Sequence, residues 1–285
     1  MKQMWRALVQ MLVVVGLCAC SPLHTFNALM PKDPGVQRIA NVAYGTGPRQ
    51  AMDMYRPAQR SATALPVIVF LYGGSWNSGD RQGYEFVGRA LAAKGFLVAI
   101  PDYRLVPQVH YPAFLQDNAA AVRWIAQHAG DYGGQSGRVV LVGHSAGAYN
   151  AAMVAMDPRW LGADRAMVRG FVGLAGPYDF APFVDKTVEE TFAGVADQAS
   201  TQPIAYAGAG SPPALLATGD RDTVVRPRNS DALARALRAN GVRVERLTYP
   251  RVGHAGLITA FAAPLRSHAE ILDATAAFAR TCLAP

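Results

Sequence analysis

The sequence predicts an α/β protein with a mostly parallel central sheet and helices on both faces. Three observations carry that expectation. From residue 37 onward, short apolar runs alternate with helix-patterned stretches, as successive βαβ units require. The runs at residues 67–72, 96–100 and 139–142 are continuous rather than alternating, which fits strands covered on both faces. A chain of 285 residues with 51% apolar content can also bury one large core, and no fixed-period repeat points to a solenoid.

The charge pattern narrows the function classes. Charged residues are 16% of the chain, too few for a disordered polymer. The formal charge of +7 comes from scattered Lys and Arg, and the longest cluster, residues 221–228, is broken by Asp222 and Pro227. The surface therefore reads as mildly basic, and nucleic acid is not the expected partner.

Taken in order, the chain opens with Lys2 and Arg6 ahead of an apolar run at residues 7–17, interrupted only by Gln10. That is the length of a secretory h-region and short for a bilayer span. Residues 17–20, Leu-Cys-Ala-Cys, resemble the lipobox of bacterial lipoproteins, which implies cleavage after residue 19 and acylation of Cys20. An ordinary cleaved signal or a short anchor is the alternative. Ser21 resembles a signal for the outer membrane, so the expected location is the bacterial cell envelope, lipid-anchored and facing the periplasm. Only Cys20 and Cys282 would remain, which excludes a disulfide framework. Residues 20–36, with three prolines, read as a tether, and residues 37–285 as the folded domain.

Within that domain, residues 41–44 and 52–55 form an expected hairpin around Gly45, Gly47 and Pro48. Residues 67–72 are a buried strand, 86–93 a helix stopped by Gly95, and 96–100 a second buried strand. Pro112 opens a helix whose apolar face is Leu115, Ala119, Val122 and Ala126. Residues 138–142 are a strand, 148–156 a small-residue helix, and 171–174 and 214–218 further strands. Residues 177–213 lack periodicity and are placed outside the sheet, covering a pocket. A helix at 230–240, a half-exposed strand at 242–249 and a last helix within 263–281 complete the chain.

The chemistry starts at Gly143-His-Ser-Ala-Gly147, which follows a strand and precedes a helix. That context turns a G-x-S-x-G match into a candidate nucleophile at Ser145, with glycines letting flanking chains approach the tight turn. A serine hydroxyl needs a base, itself held by a carboxylate, in the order Ser, acid, His. Downstream lie only His254, in a loop after a strand, and His268, on a polar face of the expected last helix. His254 is therefore the candidate base. Asp220 and Asp222 both follow the strand at 214–218; Asp222 lies further into the loop and is preferred, with Asp220 a turn residue. Donors from Gly73 or Gly74, plus the amide of Ala146, would form the oxyanion hole.

Residues 40–280 resemble an α/β-hydrolase of the esterase and lipase type. The groups they are similar to are hormone-sensitive-lipase-like and feruloyl-esterase-like carboxylesterases, prenylcysteine methylesterases and kynurenine formamidases. The pieces that carry the resemblance are Tyr72-Gly-Gly-Ser-Trp76, Asp102-Tyr-Arg-Leu105, Tyr111-Pro-Ala113 with Asp117, Gly143–Gly147, residues 219–225 and Gly253-His254. The resemblance implies an α/β-hydrolase fold, a Ser145–Asp222–His254 triad and no cofactor or metal. One departure stands out: such families have histidine where this chain has Tyr72, which bears on the geometry of the oxyanion loop. Asp102, Arg104 and Asp117 read as structural.

The expected reaction is hydrolysis of small-to-medium carboxylic esters through an acyl-enzyme. Trp76, Tyr149, Tyr178, Phe180, Phe183 and Phe192 are candidates for the pocket lining. Two alternatives stay open. One is amide or peptide hydrolysis on the same triad, with Glu189-Glu190 as a candidate amine anchor. The other is a non-catalytic envelope lipoprotein on a hydrolase scaffold. The sequence leaves the oligomeric state open.

Overall fold

The computed structural model describes residues 22–59 and 61–284. Its centre is an eight-stranded sheet: β1 (Val36–Ala43), β2 (Ala51–Pro57), β3 (Val67–Leu71), β4 (Leu97–Pro101), β5 (Val139–His144), β6 (Val168–Leu174), β7 (Ala214–Gly219) and β8 (Val244–Tyr249), in spatial order 1-2-4-3-5-6-7-8. β1 pairs with β2 and β2 with β4 antiparallel; every later pairing is parallel. This is the expected α/β-hydrolase fold. The central strands β3, β4 and β5 are buried at every position, the structural reason for their unbroken apolar runs. The edge strand β8 alternates partial burial with exposure, as its sequence anticipates.

The helices that flank the sheet are α1 (Pro22–Leu29), α2 (Glu85–Ala93), α3 (Ala113–His128), α4 (Ala146–Met156), α5 (Lys186–Thr191), α6 (Arg228–Ala239), α7 (His254–Thr259) and α8 (Ile271–Leu283), with a single helical turn at Pro158–Leu161. Leu115, Ala119, Val122 and Ala126 of α3 are all buried, as their spacing predicts. Every residue of α4 is buried, because its small side chains let the helix axis approach the sheet closely.

Three expectations need correction. The segment read as a tether is ordered from Pro22: α1 packs Leu23 and Phe26 on the domain, with Phe26 edge-on to Phe86 at 5.2 Å between ring centroids. Asn27 binds both the Gln82 carbonyl and the Phe86 amide, and Arg266 grips Asp33 through two bonds of 2.7 and 2.8 Å. The prolines flank this helix rather than dissolve it, and the apolar spacing Leu23, Phe26, Met30 is the helical signal the composition masked. The hairpin is longer than residues 41–44 and 52–55, with a register shift between Ile39 and Val42 where Asn41 takes a positive φ of 59°. The last helix begins at Ile271; Ala263–His268 is a separate 3-10 segment, so His268 sits exposed on that segment and not on the helix. Residues 177–213 lie outside the sheet as expected, carrying α5 and the 3-10 turns Gln198–Thr201 and Pro203–Tyr206. Cys20 lies outside the described residues. Among the described residues no helix is long and apolar enough to cross a membrane.

Candidate active site

β5 delivers Ser145 at a turn that ordinary residues avoid. Its φ of 55° and ψ of −124° fall in a region that costs a non-glycine residue roughly 1–3 kcal/mol. The turn is held by the Ser145 amide on the Leu174 carbonyl at 2.9 Å and by the amides of Ala148 and Tyr149 on the Ser145 carbonyl. A Cβ at Gly147 would sit 2.0 Å from the Leu71 carbonyl oxygen, so only glycine lets α4 leave the strand at this angle. The result is a hydroxyl standing at the N-terminus of α4, where the helix dipole favours negative charge.

Three residues far apart in sequence meet here. His254 Nε2 lies 2.8 Å from Ser145 Oγ, and His254 Nδ1 lies 2.8 Å from Asp222 Oδ2. A carboxylate can only accept, so the ring proton sits on Nδ1 and Nε2 is left to accept from the serine hydroxyl. Asp222 is held by its own loop: its Oδ1 accepts from the amides of Val224 at 3.0 Å and Val225 at 2.9 Å. Burial alone would raise the Asp222 carboxyl, but the bond to His254, the charge of that ring and the two amides outweigh it and hold its pKa below the ordinary value. Asp220 is occupied elsewhere, accepting from the Arg251 amide at 2.6 Å, the turn role its position suggests.

The loop after β3 presses against this turn. A Cβ on Gly73 would lie 2.9 Å from both Ser145 Cβ and the His144 carbonyl oxygen. Gly74 accepts from the amides of Asn77 and Ser78, and Ser75 and Trp76 both take positive φ, 50° and 60°. Among the described residues the amides of Gly73 and Gly74 have no loop or turn acceptor, and that of Ala146 opens α4, where helix geometry leaves it without one. Of the three positions named from sequence, Gly73 packs against Ser145 and Ala146 follows it at the start of α4, while the contacts of Gly74 are with Ser78.

Tyr72, which stands where the resemblance implies a histidine, anchors that loop. Its hydroxyl donates to Asp102 Oδ1 at 2.8 Å and accepts from Arg49 Nη2 at 2.8 Å. Its ring is stacked between Tyr103 at 4.7 Å and Tyr84 at 5.4 Å, and the Tyr103 hydroxyl binds the Tyr72 carbonyl at 2.8 Å. Asp102 also receives the Arg81 amide and guanidinium, and Arg81 reaches on to Asp53. Asp102 is therefore a strand-end hub as expected, and Arg104 clamps Asp117 through two nitrogens. Sequence reasoning missed Arg49 and Arg81. Both reach Asp102, which the sequence marks as structural; Arg81 also binds Asp53, and Arg49 binds the Tyr72 hydroxyl and the Tyr103 and Gly79 carbonyls, partners that no local pattern announces.

It also missed His144. The ring is buried beside His254, with centroids 4.9 Å apart, and its Nε2 lies 3.3 Å from the His254 carbonyl oxygen. Burial first and the neighbouring imidazole second push its pKa down to about 3, so it stays neutral. A carbonyl only accepts, so the His144 proton is on Nε2, and Nδ1 is a buried acceptor without a partner among the described residues.

Beside Ser145 opens a cavity of about 510 Å³. Of the six aromatic candidates, Trp76, Phe180 and Phe183 line it. Tyr149, Tyr178 and Phe192 do not: all three are buried, Phe192 forming a second layer 5.1 Å from Phe183 and 5.4 Å from Trp76. Both Glu189 and Glu190 are exposed on α5 and neither lines the cavity. Among the described residues no group of three His, Cys, Asp or Glu side chains could hold a metal.

The BD-FAE family model matches residues 52–237, which takes in Gly73, Ser145 and Asp222. This chain belongs to the BD-FAE family. Esterase LipC of Mycobacterium tuberculosis is 30% identical over 237 residues, 75% of this chain and 58% of LipC. Carboxylesterase NlhH of the same species is 30% identical over 229 residues, 72% of this chain and 70% of NlhH. The isoprenylcysteine α-carbonyl methylesterase of Arabidopsis thaliana is 26% identical over 241 residues. This chain spans little more than half the length of LipC and of that methylesterase. Among solved structures, a thermostable esterase from Pseudomonas putida superposes with a TM-score of 0.74 at 23% identity, over 97% of this chain and 96% of that one. Esterase B of Lactobacillus rhamnosis superposes with a TM-score of 0.77 at 21% identity, over 96% of this chain and 97% of that one. These likenesses establish the α/β-hydrolase fold of this BD-FAE member.

Proposed function

We propose that the protein is a serine carboxylesterase acting on small-to-medium carboxylic esters. The observation that carries the reading is the unbroken chain Ser145 Oγ, His254, Asp222, with 2.8 Å at each link. Ser145 Oγ attacks the ester carbonyl as His254 Nε2 takes its proton, and Asp222 stabilises the imidazolium that forms. The amide of Ala146 and those of Gly73 or Gly74 donate to the oxyanion, each donor contributing ~3 kcal/mol. Collapse expels the alcohol with the proton from His254 and leaves the acyl group on Ser145. Water then attacks by the same route and restores the serine. The relatives carrying esterase names support ester over other acyl donors.

The cavity volume of about 510 Å³ favours a modest substrate over a long-chain lipid. Amide or peptide hydrolysis is the weaker reading, because the glutamate pair that would anchor a substrate amine stands outside the cavity. The test is hydrolysis of a short p-nitrophenyl ester by wild type and Ser145→Ala. Loss of turnover and of fluorophosphonate labelling in the variant is the expected result; persistent labelling would move the nucleophile elsewhere. We further propose, from the Leu17-Cys-Ala-Cys20 motif, that Cys20 is acylated and tethers the enzyme to the bacterial envelope. Incorporation of a fatty-acid analogue that survives Cys20→Ala would refute it.

A further inference from the structure

We infer that the ester hydrolysed at this site carries a carboxylate, bound by Arg226 and Arg228 at the cavity mouth. This deepens the esterase reading and rests on it. Both arginines line the same cavity as Ser145, on the loop that runs from Asp222 into α6. Asp222 accepts from the Val224 and Val225 amides, so the carboxylate that holds His254 also fixes this stretch of wall. Arg226 and Arg228 are both exposed, and among the described residues neither guanidinium has a carboxylate within 4.0 Å.

The acids nearest them in sequence are already engaged: Asp220 with the Arg251 amide, Asp222 with His254, and Asp231 with Arg246. The one acid lining the cavity among the described residues, Asp185, has its Oδ1 accepting from the amides of Thr187 and Val188. The same cavity has an apolar lining, with Phe180, Phe183 and Val184, and Val184 is 87% exposed. Val224, 70% exposed, stands beside the arginines. An apolar lining that also carries two uncommitted guanidiniums matches a substrate with a hydrocarbon body and one negative end, which arginine recognises through paired N–H donors.

The test compares kcat/KM within matched pairs at low salt. p-Nitrophenyl hydrogen glutarate against p-nitrophenyl valerate places the charge on the acyl side. 4-Acetoxybenzoate against 4-acetoxybenzamide places it on the alcohol side. Wild type should prefer the charged member of at least one pair by roughly tenfold, a ratio that falls towards one near about 1 M salt. The ratio should also fall towards one in Arg226→Gln/Arg228→Gln and invert in the double Glu variant. A wild-type ratio near one in both pairs overturns the inference, as does a ratio that the Gln variant or salt leaves intact. Neutral esters hydrolysed without charge preference sink this inference alone; no hydrolysis of any ester sinks the esterase reading with it.

Discussion

Replacing Asp222 by asparagine probes the site through one atom. Asp222 Oδ1 accepts from two backbone amides, at 3.0 and 2.9 Å, while Oδ2 faces His254 Nδ1 at 2.8 Å. Two N–H donors demand an acceptor, so the asparagine oxygen must keep the Oδ1 place and its NH₂ must face His254. An NH₂ donor forces Nδ1 to become the acceptor, which moves the ring proton to Nε2. That nitrogen can then no longer take the proton of Ser145 Oγ. The same replacement in a serine-protease triad costs ~10⁴ in kcat, or ~5 kcal/mol of barrier. A fall of 10³ to 10⁴ is expected here with p-nitrophenyl butyrate, with a near-unchanged KM and a folded circular-dichroism spectrum. Asp220→Asn is the matched control, because its oxygen can still accept from the Arg251 amide; it should stay within a few fold of wild type. Asp222→Asn within tenfold of wild type would refute the tautomer argument.

Other outcomes follow from the surroundings of the triad. Gly73→Ala puts a methyl group 2.9 Å from Ser145 Cβ and should cut kcat about 10²-fold by displacing an oxyanion donor, measured on the same ester. Tyr72→Phe strips the hydroxyl between Asp102 and Arg49 and should cost about 1–3 kcal/mol, read in urea unfolding. His144 titrates near 6.5 when unfolded and near 3 in the fold, so folding excludes its proton. That contribution is complete above about 6.5 and is lost as pH falls towards about 3, an interval worth roughly 4–5 kcal/mol. His144→Gln should flatten this limb of the stability profile. Asp222, whose pKa is lowered in the fold, adds a contribution that is fully present above about 3.8 and is lost as pH falls below that value.

Much of the molecule was legible from local pattern. Unbroken runs such as residues 139–142 mark buried strands because burial on both faces leaves no polar register. The Gly143–Gly147 motif between strand and helix marks the strained turn at Ser145 because few residues tolerate such a backbone. The meeting of His254 and Asp222 with Ser145 could be anticipated because each follows a strand at the same end of a parallel sheet. What escaped depends on contacts between distant segments. Tyr149 and Tyr178 look like pocket residues in sequence, yet packing buries them, and nothing local separates a lining ring from a core ring. The helix Pro22–Leu29 was hidden by its prolines, since the docking face that stabilises it is Phe86 and Gln82, some 55 to 60 residues away. His144 carries no motif of its own; its neutrality follows only from the burial and the neighbouring imidazole the fold supplies.

Peptide mapping by mass spectrometry, after treatment with a fluorophosphonate, asks most directly whether the hydroxyl at the β5–α4 turn is the reacting atom. A single stoichiometric adduct on Ser145, absent after His254→Ala under the same exposure, is the predicted outcome. An adduct on another side chain, or unmodified protein that has lost its esterase activity, would contradict it.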